Sequence, residues 1–104
     1  MARWSTIIAY RDFWDIPRAF LTVSQDKWLY FDCPFDEVEE DYETKYEVYE
    51  MPSLSQEIIA GDWRPITSMA LKRLGTVPTG SVEFDATKRR MVNLDVLDKL
   101  ATPG

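Results

Sequence analysis

The sequence predicts an α+β domain: a small, strongly bent antiparallel sheet or partly open barrel of about five to six strands, with two or three short helices packed on one face or end. Twelve of the 14 aromatic residues lie within residues 1–49, and aromatic residues favour strands. After residue 52 the hydrophobic period becomes helical. The 104 residues fit one globular domain spanning residues 1–104.

The first half reads as strands. Residues 5–10 contain a β-branched run and form the first strand. Residues 12–17 form a connector ending at Pro17, and residues 18–23 and 27–33 form a hairpin around a polar turn at 24–26. Residues 44–51 form the next strand. The two hairpin arms are apolar on both faces, so we expect them to be covered on both sides or closed into a barrel.

The second half reads as mainly helical. Ser53 and Gln56 fit a capping box for a two-turn helix that stops at Gly61. A second helix is expected from Asp62 to a stop at Gly75. A turn at 77–80, short strands at 81–84 and 90–92, and a final helix over 94–101 capped by Asn93 complete the prediction.

Charge is segregated along the chain. Residues 1–35, 36–63 and 64–104 carry net charges of 0, −9 and +3, which give the total of −6. The chain has no His and one Cys, which excludes His-based triads, the usual zinc sites and an internal disulfide. No apolar run reaches the length of a membrane span. We therefore expect a soluble, cytoplasmic protein without metal or cofactor.

The acidic stretch of residues 36–43 is the most distinctive candidate site. A dense patch of one sign speeds encounter with an oppositely charged partner. The alternative is a solvated loop that keeps the protein soluble and guards a sheet edge. The stretch lacks the glycine and the ligand spacing of a calcium loop. Its candidate partner-binding residues are Asp36, Glu37, Glu39, Glu40, Asp41 and Glu43.

Two further segments are candidates for contact with a partner. Phe13 and Trp14 are adjacent aromatics in a connector, where both cannot easily face inward. Lys88, Arg89 and Arg90 form the only basic cluster, which suits phosphate, the protein's own acidic stretch or that of a second copy. A solvated turn is the alternative for the basic cluster, and the hydrophobic core is the alternative for the aromatics.

Catalytic candidates are few. Asp12, Asp15 and Asp32 are candidates for the paired carboxylates that glycoside hydrolysis requires, against the alternative that they bond turn backbone or pair with arginines. Cys33 follows an acidic neighbour and has no His to activate it, so we expect a buried structural thiol.

These observations favour a non-enzymatic protein–protein interaction module with an acidic docking surface, whose partner is a basic protein or a second copy of the chain. The alternative is a barrel that binds single-stranded nucleic acid through strand aromatics and the turn at 88–90. The net charge of −6 opposes nucleic acid, and we expect no membrane partner. An enzyme using carboxylates alone is the third hypothesis, which would require two carboxylates converging in a pocket.

Overall fold

An antiparallel sheet that curls into a half-barrel forms most of the computed structural model, which describes residues 4–13, 17–24, 26–33, 35–36, 38, 41–42, 45–63, 65–84 and 91–99. Among these residues six strands pair in the order β7-β6-β3-β2-β1-β8, and β4 and β5 form a separate two-stranded ladder. The strands are β1 Trp4–Phe13, β2 Pro17–Ser24, β3 Lys27–Asp32, β4 Phe35–Asp36, β5 Asp41–Tyr42, β6 Lys45–Met51, β7 Lys72–Pro78 and β8 Met91–Asn93. The prediction of a bent antiparallel sheet is confirmed.

Both faces of the sheet bury apolar side chains, as the two-sided hairpin arms predict. On β3, Phe31 belongs to one core and Tyr30 to the other, because successive side chains of a strand point to opposite faces. In the first core Phe20 stacks on Phe31 with ring centroids 4.6 Å apart, and Tyr46 meets Phe20 edge-on at 5.5 Å. The second core lies under the helical segments that follow β6 and consists of Ala19, Leu21, Tyr30, Met51, Leu54, Ile59, Trp63 and Ile66.

Helical structure is scarcer than the sequence predicts. Within the described residues, one α-helix, α1 (Gln56–Ala60), is joined by 3-10 segments at Ile66–Met69, Thr79–Ser81 and Leu94–Lys99. The predicted Ser53 cap is wrong: the Oγ atom of Ser55 accepts a hydrogen bond from the backbone N–H of Ile58 at 3.3 Å. Gly61 ends the helix as predicted.

The predicted second helix over 62–74 is also wrong. A single 3-10 segment is followed by Leu71, whose N–H donates to the carbonyl of Glu50 at 2.8 Å, and the chain then runs as β7 along β6. Lys72, Arg73 and Leu74 have good helix propensity, but the open edge of β6 supplies a ladder of hydrogen bonds that outweighs it. Gly75 sits at a register shift with φ 141°, so it permits a β-bulge rather than a helix stop.

The remaining boundaries differ in detail. β1 and β2 extend into the predicted connector at 12–17, since Phe13 pairs with Pro17, and proline is tolerated as the first residue of a strand. Residues 14–16 of the connector lie outside the described residues. The turn at 77–80 is replaced by the end of β7 and a 3-10 segment, and the strand at 81–84 is reduced to a bridge between Phe84 and Val92. The final helix is a 3-10 segment whose start is capped as predicted, because the Oδ1 atom of Asn93 accepts from the N–H of Asp95 at 3.0 Å.

Candidate functional site

A pocket of about 370 Å³ opens on the sheet face that carries the second core. We call it the polar pocket. Its volume lies at the lower end of the range for ligand sites, roughly 300–1,000 Å³. Side chains of β1, β2 and β3 form one side, and the chain after α1 forms the other. Its lining residues are Arg11, Ala19, Tyr30, Asp32, Gly61, Asp62, Trp63 and Thr67.

Arg11 and Trp63 build one wall of the polar pocket. The Arg11 guanidinium donates to the carbonyls of Ile59 and Gly61 at the end of α1, and lies 4.3 Å from the centroid of the Trp63 ring. The buried indole Nε1 of Trp63 donates to the same Ile59 carbonyl at 2.8 Å. A cation at the negative end of a helix and above an indole face is doubly favoured. This wall therefore joins α1 to β1, and Arg11 covers one face of the Trp63 ring.

Asp32 and Glu47 form a carboxylate pair beside the pocket. They lie directly opposite each other on β3 and β6, where like charges destabilise a sheet. Burial, and secondly the charge of Glu47, raise the pKa of the Asp32 carboxyl to about 6. Glu47 has partners of its own: it accepts from the Tyr49 hydroxyl at 2.9 Å and from Arg73 Nη2 at 3.0 Å. The repulsion between the two carboxylates therefore acts on Asp32, whose pKa it helps to raise.

The same partnership affects Tyr49. Burial is the first cause that raises the pKa of its phenol, and the hydrogen bond to Glu47 is the second. Its ring lies alongside that of Tyr30, with centroids 6.2 Å apart, and Tyr30 meets Trp63 edge-on at 5.9 Å. An aromatic row thus runs from the carboxylate pair to the wall of the polar pocket.

The acidic stretch continues from the same two strands. Its described residues form the ladder of β4 and β5, in which Asp36 lies opposite Asp41 and Phe35 opposite Tyr42. We call β4 and β5 together the acidic hairpin. Phe35 follows Asp32 by three residues, so their Cα atoms lie within about 11 Å of each other. The hairpin therefore adjoins the carboxylate pair, and at its turn Val38 is 90% exposed.

Several predicted site residues lie outside the described part of the chain. These are Glu37, Glu39, Glu40, Glu43, Trp14, Asp15, Lys88, Arg89 and Arg90. For Phe13 and Asp12 the structure describes the backbone, in β1, but not the side chains. A pairing of Asp32 with Asp12 or Asp15 therefore stays a prediction. Cys33 is buried, as expected.

The strand aromatics have a structural role. Phe20, Phe31 and Tyr46 are fully buried and in ring contact with one another. They offer no exposed face on which a base could stack. On β1, Tyr10 and Trp4 are each almost half exposed.

Sequence reasoning missed most of the polar pocket. It identified Asp32 as a carboxylate of interest and Asp62 only as a helix cap, but not the roles of Arg11, Trp63 or Glu47. One signal was present: Asp32 is the only charged residue after Lys27 in an otherwise apolar strand, two residues from Tyr30 and thus on the same face. Asp32 lies opposite Glu47 because of the register of β3 on β6, and the sequence between the two residues does not set that register.

No protein-family model, curated protein or solved structure matches this chain. In the described residues there is no group of three or more His, Cys, Asp or Glu side chains placed to hold a metal ion. Nor does that part of the chain contain a helix long and apolar enough to cross a membrane. The polar pocket, the carboxylate pair and the acidic hairpin are the features of the described chain that bear on its function.

Proposed function

We propose that this protein is a non-enzymatic interaction module that docks a basic protein partner on the surface formed by the carboxylate pair and the acidic hairpin. The observation that carries the proposal is the opposition of Asp32 and Glu47 on neighbouring strands, next to a hairpin in which Asp36 and Asp41 are opposed in the same way. Cross-strand pairs of like charge cost folding energy. A bound cationic partner would offset this repulsion, which lowers the stability of the free protein.

The electrostatics of Asp32 link docking to pH. A cation placed against this carboxyl favours its ionised form and lowers its pKa. Because the pKa in the free protein is raised to about 6, docking at lower pH must also release a proton. Affinity for a basic partner should therefore increase as the pH rises from 5 to 7, and should fall as salt is added.

An enzyme that uses carboxylates alone is the second candidate. Asp32 and Asp62 both line the polar pocket, and the raised pKa of Asp32 suits acid–base work. Two contacts favour docking instead. Glu47 is held by Arg73 and Tyr49, and one face of the Trp63 ring, which a sugar could stack on, is covered by Arg11. For the nucleic-acid alternative, burial of Phe20, Phe31 and Tyr46 removes these three rings as stacking surfaces, and the turn at 88–90 lies outside the described residues.

The experiment that tests the proposed function is capture from a native extract with matched charge variants. Asp32→Asn/Asp41→Asn removes one charge from the carboxylate pair and one from the acidic hairpin. Asp26→Asn/Glu83→Gln removes two exposed charges elsewhere, and asparagine tolerates the φ of 66° at position 26. We expect one basic protein to be retained at low salt by the wild type and the control, and lost from the test variant.

Equal retention by all three proteins, or no retention at low salt, would contradict the proposed function. Sedimentation velocity tests the alternative that the partner is a second copy of the chain. A dimer that dissociates in the Asp32→Asn/Asp41→Asn variant and in high salt would identify a second copy of the chain as the partner.

A further inference from the structure

A second pocket adjoins the polar pocket and has the opposite character. It encloses about 290 Å³ between α1 and the 3-10 segment Ile66–Met69. We call it the apolar pocket. Gly61 and Asp62 line both pockets and so form the ridge between them. The other residues that line it are Glu57, Ile58, Pro65, Ile66 and Met69.

We propose that the two pockets together receive two side chains of one partner segment, a lysine in the polar pocket and an apolar residue in the apolar pocket. This inference rests on the proposed function, and specifies which residues of the basic partner are recognised. The shared ridge is the observation that carries it, because one extended segment crossing Gly61–Asp62 meets both pockets.

The lining of the polar pocket suits a lysine side chain. The carboxylates of Asp32 and Asp62 and the hydroxyl of Thr67 provide oxygen acceptors for an ammonium group, which has three donors. Tyr30 and Ala19 offer apolar surface to the methylene stem. Arg11 is the cation in the described lining, and the carbonyls of Ile59 and Gly61 and the Trp63 ring already engage its guanidinium.

The apolar pocket has the features of a small hydrophobic anchor site. Met69 is 37% exposed at its edge, and Leu71, two residues further on, is 64% exposed. Methionine adapts its shape to different apolar guests, and adjoining exposed apolar side chains mark interaction surfaces. Glu57 and Asp62 place carboxylates at its border, which again favours a segment carrying positive charge.

The charge of this region selects the partner. Residues 36–63 have a net charge of −9, and Glu47, Glu57 and Asp62 belong to them. Binding a segment with lysine beside an apolar residue satisfies both pockets, whereas an acidic segment would meet repulsion at each. The recognised motif is therefore short, basic and apolar.

The test is selection of a random peptide display library on the full-length chain, followed by affinity measurement with the enriched peptides. We expect enrichment of lysine within a few positions of leucine, isoleucine, methionine or phenylalanine. Asp32→Asn/Asp62→Asn should weaken binding roughly tenfold, and Met69→Ser roughly threefold to tenfold. Glu83 lines neither pocket, so Glu83→Gln should leave the affinity unchanged.

Changing the peptide instead of the protein keeps the test independent of folding. Replacing the selected lysine by glutamine should cost as much affinity as the Asp32→Asn/Asp62→Asn variant. Enriched peptides without lysine, or peptides that bind the pocket variants as tightly as the wild type, overturn the inference. If the captured partner still depends on Asp32 and Asp41 in that case, the proposed function stands and only the pocket assignment fails.

Discussion

Replacing Asp32 by asparagine should stabilise the protein at neutral pH and leave its stability little changed at low pH. The pKa of Asp32 is raised from 3.8 to about 6 in the folded chain. Between these two values the folded state binds more protons than the unfolded state, so stability falls as the pH rises through this window. Asparagine has nearly the same shape and carries no charge, so it removes this loss.

The size of the stability gain follows from the two pKa values of Asp32, 3.8 in the unfolded chain and about 6 in the folded chain. One pKa unit corresponds to about 1.4 kcal/mol, so a shift of roughly two units sets an upper limit of about 3 kcal/mol. The Asp32 side chain is only partly buried, and solvent screening reduces the effect of exposed charges, so we expect about 1–2 kcal/mol. This gain should be complete above pH 7 and should vanish towards pH 4.

Urea unfolding at pH 4 and at pH 7.5, followed by tryptophan fluorescence, measures the effect directly. Wild type and Asp32→Asn are compared at each pH, with Glu83→Gln as a control that removes one exposed carboxylate. The reasoning is refuted if the variant is less stable than the wild type at pH 7.5, or if the difference between them is the same at both pH values.

Three further substitutions test other contacts by urea unfolding at pH 7. Trp63→Phe should cost about 1–3 kcal/mol, because it removes the indole hydrogen bond to the Ile59 carbonyl and leaves a smaller ring under the Arg11 guanidinium. Gly75→Ala should cost about 1–2 kcal/mol, because alanine is strained at φ 141°. Thr22→Val should cost about 1–3 kcal/mol, because the fully buried Thr22 hydroxyl donates to the Thr6 carbonyl at 2.7 Å.

Each of these three has a clear contrary result. Trp63→Phe without loss of stability would mean that the wall of the polar pocket does not depend on the indole. An alanine tolerated at position 75 would contradict the bulge in β7. Unchanged stability of Thr22→Val would mean that the hydroxyl contacts between β1 and β2 contribute nothing.

The sheet was predictable because its strands carry their own signals. Residues 18–33 combine β-branched and aromatic residues around a polar turn, and the structure pairs them as β2 and β3. The error over 62–74 has a tertiary cause. Lys72, Arg73 and Leu74 favour a helix locally, and only the unpaired edge of β6, more than 20 residues earlier in the chain, makes a strand the better choice.

The candidate site was harder to predict than the fold because its parts meet through long-range contacts. Arg11 reaches Trp63 from 52 residues away, and the opposition of Asp32 and Glu47 requires the register of β3 on β6. A shift of that register by one residue would place Glu47 on the opposite face. Composition did indicate the character of the region, since the acidic third of the chain supplies Glu47, Asp62 and both described acids of the acidic hairpin.

The most direct test of the proposed docking surface is an NMR titration of the Asp32 side-chain carboxyl carbon, in the free protein and with a saturating lysine-containing peptide from the library. We predict an apparent pKa of about 6 in the free protein, and a value at least about one unit lower in the complex, because the bound ammonium stabilises the ionised carboxylate. A bound peptide that leaves the pKa of Asp32 unchanged would contradict docking at the carboxylate pair.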